Sequence, residues 1–192
     1  MSVRSILLTL AVLAVMPAAL AEPGATGASA TAQPGIWRSQ KTELVYMGFT
    51  STYSCDGLQS KLELLLRQLG AKPGFKVIAY GCADFGRPSR FPRATLEFAT
   101  LQPSDAGQTA PAPQQTPVDG AWRTVELSPH HPFDLQDGDC ELMEQFRDKV
   151  LPLFATRGLQ ARTTCIPYQD TGGPFDLQLQ VFAPLTPAKP GR

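Results

Sequence analysis

Gly35-Ile36-Trp37-Arg38 and Gly120-Ala121-Trp122-Arg123 open two stretches of this chain that read alike. Cys55 follows Trp37 by 18 residues, and Cys140 follows Trp122 by the same 18. A second cysteine closes each stretch, Cys82 in the first and Cys165 in the second. Tryptophan to tryptophan and Cys55 to Cys140 share an offset of 85 residues, the mark of an internal duplication.

Each stretch carries the same succession of local patterns. In the first, Trp37 to Met47 reads as a strand. Leu58, Leu62, Leu65 and Leu69 then fall on one face of a helix. Ser54 is placed to cap that helix, Asp56 suits its positive end, and Gly70 with Pro73 stops it. Phe75–Tyr80 and Ala94–Leu101 are β-rich runs. In the second stretch, Trp122–Leu127 reads as the first strand and Asp139 takes the position of Ser54. Leu142, Phe146, Val150 and Leu153 mark the buried helix face. Pro152 falls within that pattern and predicts a kink or break near Lys149, with Gly158 ending the segment. Leu159–Cys165 reads as the second strand. Phe175, Leu177, Leu179 and Val181 alternate with polar residues as a half-buried third strand.

The expected fold is therefore α+β: two β-α-β-β repeats of the ferredoxin-like, split β-α-β type, with helices on one face of a largely antiparallel sheet. Both tryptophans are expected in the core, each covering the helix of its own repeat. A unit of about 65 residues is marginal alone, so the two repeats should share one core.

Around these units the composition changes. Residues 1–21 hold Arg4, an apolar run from Ile6 to Val15 and the small-x-small site Ala19-Leu20-Ala21, the pattern of a secretory signal peptide. Residues 22–35, 102–119 and 186–192 are rich in Pro, Ala, Gly, Thr and Gln. They read as a disordered leader, linker and tail, leaving 36–101 and 120–185 as the repeats. The 17 basic and 17 acidic side chains cancel, and no basic stripe or basic amphipathic helix is present. Nucleic acid is a poor partner for such a chain, and no membrane anchor is expected after signal cleavage. The expected location is periplasmic or secreted.

Four cysteines in an exported chain predict two disulfides. Cys55 and Cys140 begin helices; Cys82 and Cys165 end the strands that follow. A helix packed antiparallel to its following strand brings those ends together. The pairs are thus Cys55–Cys82 and Cys140–Cys165, closing loops of 26 and 24 intervening residues. No C-x-x-C motif suggests redox or zinc chemistry.

Candidate sites are few. His130 and His131, flanked by Pro129 and Pro132 and followed by Asp134, Asp137 and Asp139, could ligate a periplasmic metal. The same residues also suit a polar, proline-stiffened surface loop. Phe85, Arg87, Arg90, Phe91 and Arg93 form a loop of aromatic and guanidinium groups, the residue types enriched at protein interfaces. Ser54, Ser89 and Ser128 lack a G-x-S-x-G elbow, and no cofactor motif occurs, so no cofactor is expected. The reading is a non-catalytic binding or assembly module of the bacterial envelope whose partner is another macromolecule. Metal handling and a hydrolase site built only in three dimensions are the alternatives.

Overall fold

The computed structural model describes residues 31–104, 116–166, 168 and 175–185. The signal segment, most of the leader and linker, and the tail lie outside them. Eight strands and two α-helices follow in the order β1 (Gln33–Val45), α1 (Cys55–Gln68), β2 (Lys76–Tyr80), β3 (Ala83–Asp84), β4 (Arg87–Pro88), β5 (Arg93–Pro103), β6 (Val118–Leu127), α2 (Cys140–Lys149), β7 (Thr156–Thr163) and β8 (Phe175–Pro184).

Six strands form one sheet, ordered β2-β5-β1-β6-β8-β7, and every neighbouring pair is antiparallel. β3 and β4 form a separate small hairpin. The architecture is mixed α+β with an antiparallel sheet and two helices. In each half the last strand lies between the other two.

Local chemistry accounts for the elements. The Ser54 hydroxyl accepts the Gly57 N–H at 3.0 Å and caps α1. Leu58, Leu62, Leu65 and Leu66 bury the face of α1 that its spacing marks out. Gly70, at φ 77°, ends the helix in the left-handed conformation that glycine adopts most readily. α2 stops at Lys149, and a 3₁₀ turn, Leu151–Leu153, follows where Pro152 can donate no helical hydrogen bond. Gly158 does not end a helix. It sits inside β7 at φ 63°, where the register with β8 slips between Arg157 and Gln160.

The two halves share one core. Leu62 and Leu65 of α1, Met143 and Phe146 of α2, and the inward residues of β1, β5, β6 and β8 belong to a single buried cluster. The halves join where Gln33–Gly35 pairs with Val118–Gly120. Half of this joint falls in the stretch read from composition as leader. β5 likewise runs on to Pro103, and β6 begins at Val118. Pairing across the chain, which composition does not record, makes these strand residues.

The tryptophans depart from expectation. Seven unbroken ladder positions separate Trp37 from the buried Leu44, so strand alternation sets them on opposite faces. The same holds for Trp122 against Val125 and Leu127. Both tryptophans therefore lie half-buried on the face away from the helices. There Trp37 is paired with Leu101 and Trp122 with Phe182. Leu101 and Phe182 close over the joint: a Cβ on Gly120 would stand 2.6 Å from Phe182 Cζ and 2.7 Å from Leu101 Cδ2.

The joint also dictates the sheet's shape. β1 and β6 leave it in opposite directions. In a flat sheet the end of β1 and the start of α2 would be on the order of 50 Å apart at ~3.3 Å per residue. Instead the Tyr46 hydroxyl lies 3.4 Å from the Glu141 carboxylate. The sheet must coil about the glycine joint, bringing the far loops of both halves to one pole.

Candidate binding surface

Two disulfides hold the loops of this pole. Cys55–Cys82 and Cys140–Cys165 have Cα separations of 5.4 and 5.6 Å. Each ties a helix N-terminus to the chain just beyond the next strand.

Between them runs a polar clasp joining the halves. Glu141, buried in the first turn of α2, accepts the backbone N–H of Phe49 at 2.9 Å and that of Thr50 at 3.0 and 3.1 Å. The Thr50 hydroxyl donates to it at 3.1 Å. Gln145, one turn on, accepts the Met47 N–H at 2.8 Å and donates to the Met47 carbonyl at 3.0 Å. Asp139 is equally buried, and its role differs from the expected helix cap. Its side chain makes no cap bond to α2. It accepts the Tyr53 hydroxyl at 2.5 Å and the Gln136 N–H at 2.8 Å, and pairs with Lys61 of α1 at 2.7 Å. Burial raises the pKa of Tyr46 and Tyr53 far above the usual tyrosine range; Glu141 beside Tyr46 and Asp139 beside Tyr53 add to it. Both phenols stay neutral donors. The spacing on the chain flagged Glu141 only as an acid at a helix start, and nothing local marked Phe49 and Thr50 as its donors.

The clasp positions an apolar surface. Twelve large apolar side chains remain exposed among the described residues, and only Ile78, Leu159 and Leu185 lie away from this pole. Phe85 occupies the tip of the β3–β4 hairpin and is fully exposed. It stands at φ 47°, followed by Gly86 at φ 75°. Phe91 follows on the same loop, which is tied down where the Gly48 N–H donates to the Arg90 carbonyl at 2.8 Å. The Phe49 and Tyr168 rings meet edge to face at 6.0 Å, and the Arg90 guanidinium lies 5.7 Å over Tyr168. Of the loop singled out from sequence, Phe85, Arg87, Arg90 and Phe91 stand on this surface. Arg93 is spent differently: its guanidinium pairs with Glu43 at 3.1 Å on the sheet.

His130 and His131 lie at the same pole, on an exposed turn where Ser128 and His131 exchange backbone hydrogen bonds and the peptide bond before Pro132 is cis. No group of three or more His, Cys, Asp or Glu side chains suited to a metal occurs among the described residues. Ser54 and Ser89 accept backbone N–H groups of their own turns. A groove of about 550 Å³ lies between Lys72–Phe75 and β1 with β5. In it Lys41 and Glu97 pair at 2.7 Å, their shared hydrogen bond raising the lysine pKa and lowering the glutamate's. Such a pair is a surface ion pair and offers no poised acid or base. No helix among the described residues is long and apolar enough to cross a membrane.

The chain matches no protein-family model, no curated protein and no solved structure.

Proposed function

We propose that this protein is an exported, non-catalytic binding or assembly module of the bacterial envelope, and that the loop pole is its binding face. In this reading residues 1–21 direct export to the periplasm or beyond. The two halves descend from one duplicated β-α-β-β unit of the ferredoxin-like, split β-α-β kind. The shared strand order of the halves and the matching disulfides support the duplication. The two disulfides also favour an oxidising compartment.

One observation carries the binding role: exposed large apolar side chains gather at the pole, on loops stapled by both disulfides and by the Glu141 clasp. Exposed large apolar side chains gathered on one part of a surface mark interaction sites. Rigid support beneath it limits the ordering that binding would otherwise require. The test is capture from an envelope extract with the disulfide-bonded protein as bait, beside a Phe85→Asn/Phe91→Ser variant. A partner retained by the first and lost by the second is expected. An identical set of captured proteins would remove the pole as the binding face.

A further inference from the structure

We infer that the chain is a two-fold dimer made covalent: each half carries an interface built for the other half, and the segment between β5 and β6 decides whether that half comes from the same copy or from a second one. This rests on the duplication proposed above and not on the loop pole as a binding face.

The pairing between the halves obeys the rule of an isologous interface, in which residue i meets residue j and the counterpart of j meets the counterpart of i. Under the 85-residue offset of the repeats, Gln33 corresponds to Val118, Pro34 to Asp119 and Gly35 to Gly120. Pro34 pairs with Asp119, its own counterpart. Gln33 pairs with Gly120 and Gly35 with Val118, and exchanging the halves turns each of these pairs into the other. Two strands with no dyad between them have no reason to meet in that register.

The symmetry extends outward from the joint. The sheet order β2-β5-β1-β6-β8-β7 reads the same from either end once the halves are exchanged. A Cβ on either joint glycine would meet both Phe182 and Leu101, at 2.6 to 2.9 Å. Lys72 lies 5.8 Å over Trp37, and Arg157, 85 residues further along, lies 4.3 Å over Trp122. On the inner face both helices enter one buried cluster, as the protomers of an obligate dimer do.

Each disulfide closes within its own half, so neither bridges the joint. Pro103 and Val118 flank the same Gly35, one on each side. Two strand spacings of ~4.8 Å put them about 10 Å apart. Residues 104–117 supply 14 residues for that gap. Such a tether holds the attached half at an effective concentration on the order of millimolar, so the full chain closes on itself. The clasp sets which halves match. Glu141 takes the Phe49 and Thr50 N–H groups of the first half, whereas Asp56, its counterpart, is one methylene shorter and exposed. A first half therefore fits a second half better than it fits another first half.

The experiment is deletion of residues 105–117 followed by sedimentation at micromolar concentration. Ser104 alone must then bridge about 10 Å, which two Cα–Cα steps of about 3.8 Å cannot span. The shortened chain should form a particle of two chains, each first half clasped by Glu141 of the other copy, with the Phe49 and Thr50 amides still protected from hydrogen exchange. A folded monomer overturns the inference. Should the shortened chain not fold, the full chain decides: a protease site placed within residues 105–115 is cut after folding. The two pieces should remain a one-to-one particle at about 1 µM, and pieces that part at that concentration overturn the inference. Envelope capture through Phe85 and Phe91 tests the pole separately, and neither result alters it.

Discussion

Glu141→Ala tests whether the two halves are held by the clasp or merely lie against each other. The substitution removes a buried carboxylate that accepts two backbone N–H groups and a hydroxyl at 2.9 to 3.1 Å. Hydrogen bonds to a charged group contribute about 1.5–3 kcal/mol each, so the gross loss for three is about 4.5–9 kcal/mol. Two effects offset it. The loop carrying Phe49 and Thr50 is partly exposed, so its freed donors regain water. Removing the carboxylate also recovers its desolvation penalty, several kcal/mol for a buried ion. Tyr46 keeps its bond to the Ser51 carbonyl at 2.9 Å and loses only the long one at 3.4 Å. The net destabilisation expected is about 2 kcal/mol. With a urea slope of about 2 kcal/mol per molar, the midpoint falls by about 1 M with the slope unchanged. Glu141→Gln should recover less than half of this, because its amide turns an N–H toward donors. Hydrogen exchange at the Phe49 and Thr50 amides should accelerate in both variants. A midpoint within about 0.2 M of the parent, with those amides still protected, would refute the clasp.

Further predictions concern the joint, the tyrosines and the disulfides. Gly120→Ala places a methyl 2.6 Å from Phe182 Cζ and 2.7 Å from Leu101 Cδ2. Overpacking of this kind costs about 1–3 kcal/mol, so an unchanged melting temperature would show that the joint is not packed as described. Tyr46 and Tyr53 have pKa values raised by folding, chiefly through burial. Their contribution is intact below the unfolded tyrosine pKa of ~10 and is lost as pH rises above it, because the unfolded chain then releases protons that the folded chain retains. Stability should fall above about pH 10 by up to about 2.7 kcal/mol per pH unit for the two together, measured by urea unfolding at successive pH values. Tyr53→Phe should halve that slope; an unaltered slope would reject the assignment. Cys55→Ser/Cys82→Ser opens the loop behind the hairpin and should cost about 3 kcal/mol. It should leave the Cys140–Cys165 bridge intact in a non-reducing peptide map.

The outline of the fold was legible because its signals are local. The leucine spacing of α1 and the alternation of β8 are read within a dozen residues, and both bury the faces they imply. The disulfides join the same pairs that helix-against-strand packing suggests, since Cys55 and Cys140 mark helix starts wherever those helices lie. Pro152 announced the end of α2 for a purely local reason, its missing N–H. The tryptophans misled because their position at the head of each half suggested a core role. Only the unbroken ladder count to Leu44 and Val125 puts them on the outer face.

Of the candidate surface, sequence alone marked one loop, Phe85 to Arg93, by its composition, and Arg93 turned out to pair with Glu43 on the sheet. It could not supply the neighbours. Phe49 lies beside it through the Gly48 N–H bond to the Arg90 carbonyl, whereas Ile166 and Tyr168 come from the other half and reach this surface only through long-range packing. Glu141 and Thr50 stand 91 residues apart, and no periodicity spans such a distance. What the chain determined by itself was therefore what neighbouring residues decide together: helix faces, strand alternation, turns and the helix ends that carry the cysteines. Tertiary structure decided which loops share a pole, which carboxylate is buried and which aromatic stays in water. Those depend on long-range pairing and burial, and a residue's immediate neighbours in the chain do not encode them.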